Sequence, residues 1–284
     1  MRLTLGLKNA FPWLTARTAS TISDSAEPAV STALPLRSAG PKSSYADFLE
    51  SLLVTILLAL FGTTFVLQAF KIPSQSMEPT LLVGDHLLVN KFIFGGRGAW
   101  YEKLLPYRPV RRGDIIVFKF PFDDHPHYVK RVIGLPGDRI RIVNERVLVN
   151  GDFLPEPYVV HDPASDDPFA DNFPPSDRAF SRFGLRPEWS EQIISSVRNG
   201  ELIVPADHYF VMGDNRDRSW DSRYWGFVDR RAIMGRPMVI YWSVEATAED
   251  YNDRSLLGAV RGIEDGLVHL SSRTRWNRML REVH

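Results

Sequence analysis

The sequence predicts a mainly β protein in which one N-terminal transmembrane helix precedes a large exoplasmic β-rich domain with a variable inserted subdomain. Three observations carry that prediction. Twenty consecutive residues, Ser51–Phe70, bear no charge; short β-branched runs separated by Gly and Pro dominate the chain after Lys71; and an acidic, proline-rich stretch interrupts those runs. With 284 residues the chain can hold one large or two small domains and bury a real core.

Taken in order, residues 1–44 are rich in Ser, Thr, Ala and Pro, with Arg2, Lys8, Arg17, Arg37 and Lys42 against Asp24 and Glu27. That composition reads as a disordered, solvated tail. An organellar transit peptide or a start codon placed too early has the same bias. Residues 45–70 are the predicted anchor. At about 1.5 Å per residue the run SLLVTILLALFGTTFVLQAF extends about 30 Å, the thickness of a bilayer core. It has no polar stripe of the kind a surface-packed soluble helix shows, and it ends in Leu67-Gln68-Ala69-Phe70 rather than a small-residue cleavage site. Arg37 and Lys42 before the run, against Lys71 alone in the twenty residues after it, favour the tail inside and the remainder outside.

Beyond the anchor, the strand candidates are His86–Asn90, Asp114–Phe120, Tyr128–Ile133, Arg139–Val143, Arg146–Val149, His208–Met212 and Pro237–Val244, the last too short to cross a membrane. Leu135-Pro-Gly-Asp138 suits a tight turn and Asn150-Gly151 a hairpin end. Residues 71–150 and 205–244 thus form two parts of one β core. Between them, 151–204 reads as an insertion or cap: from Asp152 to Asp177 there are seven acidic residues, six prolines and no Lys or Arg, the texture of a surface excursion. In the last segment, 245–284, four arginines between Arg273 and Arg281 accompany Trp276, Met279 and Leu280, which fits either a solvated tail or a segment lying on anionic lipid.

Composition narrows the chemistry. There is no cysteine, so disulfides, cysteine-ligated metals and a cysteine nucleophile are excluded, and catalysis must rest on oxygen or nitrogen groups. The 34 basic and 34 acidic residues balance, leaving no nucleic-acid footprint. Walker, G-x-G-x-x-G, H-E-x-x-H, G-x-S-x-G and S-x-x-K signatures are all missing. His125 and His127 lack a third ligand, so no metal is expected. The Asp217–Asp221 spacing is calcium-like, but Ser222 stands where glycine is needed and Val228 where a bidentate Glu belongs. What remains is Lys71–Asp85, with two serines between apolar positions. Ser76 follows Phe70 by six residues and lies within about 20 Å of the bilayer surface even if extended. On composition alone this is a Ser/Pro-rich juxtamembrane loop.

Four ordered segments change that reading. Pro73-Ser-Gln-Ser-Met-Glu-Pro-Thr80 with Gly84-Asp85 resembles the nucleophile box of the bacterial type I signal peptidases, the Ser/Lys-dyad leader peptidase family. Arg112-Gly-Asp-Ile-Ile-Val-Phe-Lys119 resembles that family's core strand, Tyr128-Val-Lys-Arg-Val-Ile-Gly-Leu-Pro-Gly-Asp138 its lysine box, and Met212-Gly-Asp-Asn-Arg-Asp-Arg-Ser-Trp-Asp-Ser-Arg223 its final box. The tail, the acidic stretch and the last forty residues lie outside the match. Trp220 is bulky for its place in the final box, and many Gram-negative relatives have two spans where one is expected here.

The resemblance implies a membrane serine endopeptidase that cuts signal peptides from exported preproteins after Ala-x-Ala sites, with Ser76 as nucleophile and Lys130 as general base. It implies Ser74 as oxyanion donor beside the Ser76 N–H, Ser219 as the hydroxyl that orients the lysine amine, and a charge-paired support of Asp214, Arg216, Asp221 and Arg223, with Arg131 and with Gly213 allowing close backbone approach. The matching substrate-lining positions are Phe70, Ile72, Pro73, Met77, Leu81, Leu87, Val117, Tyr128 and Val129. Implied partners are signal peptides, the lipid bilayer and a nearby secretion translocon; no cofactor or metal is implied. The implied location is the inner (plasma) membrane, single-pass, with the catalytic domain periplasmic. A maturation peptidase dedicated to one secretion or conjugation substrate, or a non-catalytic membrane-tethered binding module, are the alternatives. The chemistry sets one independent demand: a free lysine titrates near about 10.4, and acting as a base near neutrality requires desolvation to lower that value at a cost of about 4 kcal/mol.

Overall fold

The computed structural model describes residues 44–62, 66–95, 107–120, 127–165, 167–175, 185, 187–246 and 270–284. The tail up to residue 43, with Arg37 and Lys42, and His125 lie outside them. The chain divides into two units, residues 1–50 and 51–284, and all the β structure belongs to the second.

Helix α1 (Ser44–Phe61) begins seven residues before the uncharged run and carries Asp47 in its first turn. It covers only part of that run, because Leu67–Phe70 enter strand β1 (Leu67–Lys71) instead. Among the described residues no helix is long and apolar enough to cross a membrane. The predicted 45–70 anchor is therefore corrected to a shorter helix and a strand. From Tyr45 to Phe61 every side chain of α1 is exposed, Leu53, Leu58 and Phe61 included.

After β1 come β2 (Asp85–Asn90), β3 (Ile115–Lys119) and β4 (His127–Gly134). Then follow β5 (Arg139–Val143), β6 (Arg146–Val149), β7 (Asp152–Phe153), β8 (Val197–Arg198) and β9 (Glu201–Ile203). The chain returns through β10 (His208–Met212), β11 (Val228–Asp229), β12 (Ile233–Ser243) and β13 (Arg281–Glu282). The large sheet runs β1-β2-β12-β3-β4-β10-β11, with β13 paired to β12; the small one runs β7-β6-β5-β9-β8. Every pairing is antiparallel. Asn150 and Gly151 both have positive φ, the type I′ geometry that their order in sequence predicts for the β6–β7 hairpin.

The small sheet starts at Arg139, so two of its strands precede the boundary at 151 read from composition. Its period-2 alternation turns Ile140, Ile142, Val147 and Val149 into a core with Phe169, Phe173, Trp189, Leu202 and Phe210. The acidic stretch is thus not all surface. Its carboxylates shape turns, as where Asp167 accepts from the Phe169 and Ala170 N–H groups to cap helix α2 (Pro168–Asp171), while Phe169 and Phe173 point inward.

In the large sheet, β3 and β4 present two different faces. Ile116, Phe118, Tyr128 and Val132 join a cluster with Phe120 and Trp225. Ile115, Val117 and Val129 join another with Ile72, Met77, Leu81, Leu87 and Ile240. The described end of the C-terminal segment, residues 270–284, is integral to that second cluster: β13 pairs with Val239 and Ile240, Val283 is buried, and Arg278 is buried against Asp85. It is neither a solvated tail nor a wholly lipid-facing one, although Trp276 and Leu280 are exposed.

Candidate active site

The loop from Ile72 to Gly84 joins two neighbouring antiparallel strands, and its own main chain closes it: Ile72 N–H donates to Asp85 O, Gly84 N–H to Ile72 O, and Leu81 N–H to Met77 O. Met77 and Leu81 are buried plugs beneath it. These contacts lift the single 3-10 turn Gln75–Met77, and with it Ser76, over the start of β4. There the Lys130 Nζ lies 2.5 Å from Ser76 Oγ. As an ammonium it donates to that hydroxyl; as a neutral amine it accepts the hydroxyl proton.

Both partners are buried, Ser76 at 6% and Lys130 at 3% exposure. Strand alternation puts Lys130 on the face of Tyr128 and Val132, opposite Ile116 of β3, an apolar setting. Burial lowers the lysine to about 8; Asp221 and Asp214 oppose that shift and Arg223 assists it. Ser74 is exposed, and its Oγ stands 3.3 Å from Ser76 Oγ. Ser219 is buried, and its side chain packs against Gly213.

Gly213 sits where the final box meets Ser76. A Cβ there would fall 2.5 Å from Ser219 Cβ and closer still to the Ser76 carbonyl oxygen. Gly213→Ala is therefore expected to cut turnover at least about 100-fold and to weaken the fold by about 2 kcal/mol, as overpacking does. Turnover and thermal unfolding of the variant check this, and a fully active Gly213→Ala would contradict the close approach.

The support is charge-paired, but not within one box. Arg131 Nε and Nη2 bond both oxygens of Asp214 at 2.8 and 2.7 Å, and Arg131 also donates to the carbonyl of Gly113. Thr80 Oγ1 donates to Asp214 at 2.5 Å. One buried pair thus ties the nucleophile box, the core strand, the lysine box and the final box together. Arg216 pairs with Glu156, and Asp221 with Arg223. Burial works against ionisation of Asp221, yet the Arg223 charge and the Gly213 N–H hold its carboxyl below the usual range. Asn215 N–H donates to the Ser76 carbonyl, while Val160 bridges to Asn215 and Tyr158 lies 3.9 Å under the Arg131 guanidinium. Sequence reading missed Thr80, Glu156 and Tyr158 in these roles.

Of the nine substrate-lining candidates, Phe70, Ile72, Met77, Leu81, Leu87, Val117 and Val129 share one cluster, Tyr128 belongs to the opposite one, and Pro73 is exposed. Leu81, Leu87 and Val117 are fully buried, so Phe70, Pro73, Tyr128 and Val129 are the members with surface to offer a peptide. Among the described residues β1 pairs with β2, and β4 meets β10 from Arg131 to Gly134. The Phe70 and His127 rings, 5.2 Å apart, bring β1 and β4 together. No three His, Asp or Glu side chains converge as a metal site among the described residues.

The family model described as "Signal peptidase, peptidase S26" matches residues 45–242. Signal peptidase I of Pseudomonas aeruginosa is 36% identical over 212 residues, covering 69% of this chain and 72% of the relative. Signal peptidase I of Leptolyngbya laminosa is 34% identical, covering 81% and 96%, and that of Aquifex aeolicus 34%, covering 77% and 92%. By these matches the chain belongs to the signal peptidase I family of S26 peptidases and is a serine endopeptidase.

Proposed function

We propose that this protein removes signal peptides from exported preproteins after Ala-x-Ala sites, by a Ser76/Lys130 dyad. The observation that carries the reading is the buried 2.5 Å contact between Lys130 Nζ and Ser76 Oγ, with the lysine lowered to about 8. The preprotein adds as a strand, main chain to main chain, with small side chains against the Val129 face.

Ser76 Oγ attacks the scissile carbonyl carbon as neutral Lys130 takes its proton. The oxyanion is held by the Ser76 N–H and the Ser74 hydroxyl, which turns from Ser76 Oγ to do so; one such donor contributes a few kcal/mol to the rate. The Lys130 ammonium then returns the proton to the leaving amine as the C–N bond breaks, leaving an acyl-serine. Water, deprotonated by the same amine, attacks that ester; the signal peptide leaves as the acid and the proton returns to Ser76 Oγ. The exposed apolar side chains of α1 seat the protein in the inner membrane, with the catalytic domain on the exoplasmic side.

Mapping by mass spectrometry of the cleavage of several unrelated Ala-x-Ala preproteins, by protein that detergent but not alkaline carbonate releases from membranes, tests the reading. A cut directly after the second Ala in each preprotein is expected. Cleavage of a single preprotein would point to a dedicated maturation enzyme, and folded but inert protein to a binding module; either overturns the general role.

A further inference from the structure

A peptide cut at Ser76 has an acyl half on one side of the nucleophile and a leaving half on the other. The acyl half, by the reading given above, takes the face of Val129, to which Phe70 also belongs. No residue of the final box is in that cluster. The box instead runs past the nucleophile turn itself: Asn215 N–H donates to the Ser76 carbonyl at 3.2 Å, Gly213 lies against the same carbonyl, and Arg218 Nη1 donates to Gln75 Oε1 at 2.9 Å. A leaving half directed away from the Val129 face therefore meets the stretch from Asn215 to Arg218.

Arg218 brings a positive charge to that approach. Its side chain is 54% exposed, and Gln75, directly before the buried Ser76, is exposed as well. The glutamine is a neutral acceptor: it takes one of the five guanidinium N–H groups and holds the arginine at the nucleophile turn without cancelling its charge. The carboxylate that faces Arg218, Asp162, is partly exposed and stands 3.4 Å from Nη2. Its foremost partner is the Ala164 N–H at 3.0 Å, which together with Arg218 holds the carboxyl below the usual range. Asp217, the arginine's neighbour in the chain, turns inward and accepts from the Asp162 N–H at 2.6 Å. The guanidinium thus keeps charge and donors turned to solvent, one side chain away from Ser76. Neither the Ser76–Lys130 pair nor the charged support uses it.

We propose that Arg218, held by Gln75, is a specificity-determining residue on the leaving side of the cut, favouring an acidic side chain at the first or second residue of the mature protein and disfavouring a basic one. This inference rests on the peptidase reading given above. An extended chain advances at most about 3.6 Å per residue, so the first two residues past the cut are the ones within reach of a guanidinium seated on the nucleophile turn. The fork of N–H donors matches a carboxylate, and the contact is solvent-exposed, so discrimination is on the scale of one surface ion pair, about fivefold.

The test uses Ala-x-Ala preproteins identical except at the first or second residue after the cut, which is Glu, Gln or Lys, cleaved by the full-length wild type, Arg218→Gln and Arg218→Glu. For wild type at low salt, kcat/KM is expected to be about fivefold higher for Glu than for Lys at one of the two positions. At about 1 M salt, where charges are screened beyond about 3 Å, that ratio should shrink below about two. In Arg218→Gln it should lie below about two at low salt, and in Arg218→Glu it should invert, so that Lys is preferred. The ratio is read within each variant, so a general loss of activity does not imitate the effect. Should one variant fail to fold, an undiminished ratio in the other overturns the inference. Efficient cleavage by wild type with no preference at either position, or a preference that neither variant changes, overturns the inference and leaves the peptidase reading intact. Cleavage of no preprotein by folded wild type overturns both.

Discussion

Lys130→Met is expected to lower peptide cleavage by at least about 10⁴-fold, as loss of a member of a nucleophile–base pair does, while raising the stability of the folded protein at neutral pH. The two effects have one cause. Burial lowers Lys130 from 10.5 to about 8, so at pH 7 only about one molecule in ten carries the neutral amine that can accept the Ser76 proton. Activity should therefore climb through about pH 8 and level off above it. The stability sign follows from the same shift. Between about pH 8 and 10.5 the unfolded chain holds a proton that the folded chain has lost, so unfolding free energy rises with pH across that window. Below it the folded state bears a buried ammonium at a cost of order 3 kcal/mol. Methionine fills similar volume without the charge and relieves that cost. Preprotein turnover against pH, with denaturant unfolding of wild type and variant at pH 7, reads both effects. Residual activity in Lys130→Met near the wild-type level, or a wild-type profile already flat at pH 6, would show that Lys130 is not the base.

The Ser76–Lys130 contact was legible because each half sits in a dense local pattern. Ser76 lies between prolines in a short box ending in Gly84-Asp85, and Lys130 in a run whose alternation already assigns it an apolar face. Their meeting across 54 positions is not a local property, and only the order of the boxes announces it. Strands and hairpins were legible for the same reason: period-2 burial and the Asn150-Gly151 turn are written within a few residues of each other.

Charge pairing carries no such signature. Of Asp214, Arg216, Asp221 and Arg223 in the final box, only Asp221 and Arg223 pair with each other; Asp214 reaches Arg131 and Arg216 reaches Glu156, both contributed by distant segments. An acidic, proline-rich stretch suggests surface because composition averages over side chains that point in opposite directions. Glu156 and Tyr158 in that stretch pair with Arg216 and stack on Arg131, and Phe169 and Phe173 enter a core. Hydropathy failed differently at Ser51–Phe70. A sum over twenty uncharged residues does not register that Leu67–Phe70 have strand partners in Leu87–Asn90, so it joined part of a helix and a strand into one span.

Arg278→Ala is expected to destabilise the fold by about 3–5 kcal/mol, although Arg278 stands nearly two hundred residues from its partner. Asp85, at the end of the nucleophile loop, is fully buried. Its carboxylate accepts from Arg278 Nη2 at 2.6 Å and Nε at 3.2 Å, from Ser243 Oγ at 2.6 Å and from the Leu82 N–H at 2.9 Å. Arg278 also donates to the Thr80 carbonyl at 2.9 Å, so one guanidinium clasps both ends of the second half of the loop. Removing it leaves a carboxylate in the core with hydrogen bonds but no counter-charge, and losing one partner of a buried pair costs more than the intact pair contributes. Replacing both charges, as in Asp85→Asn with Arg278→Met, should therefore recover part of the loss. For a domain of this size the single variant should unfold roughly 10 °C below wild type, with the double variant between them. Thermal and urea unfolding of wild type, Asp85→Asn, Arg278→Met and the double variant reads the coupling directly. A single variant within about 0.5 kcal/mol of wild type, the range of ordinary surface changes, would mean that the C-terminal segment does not hold the nucleophile loop in place.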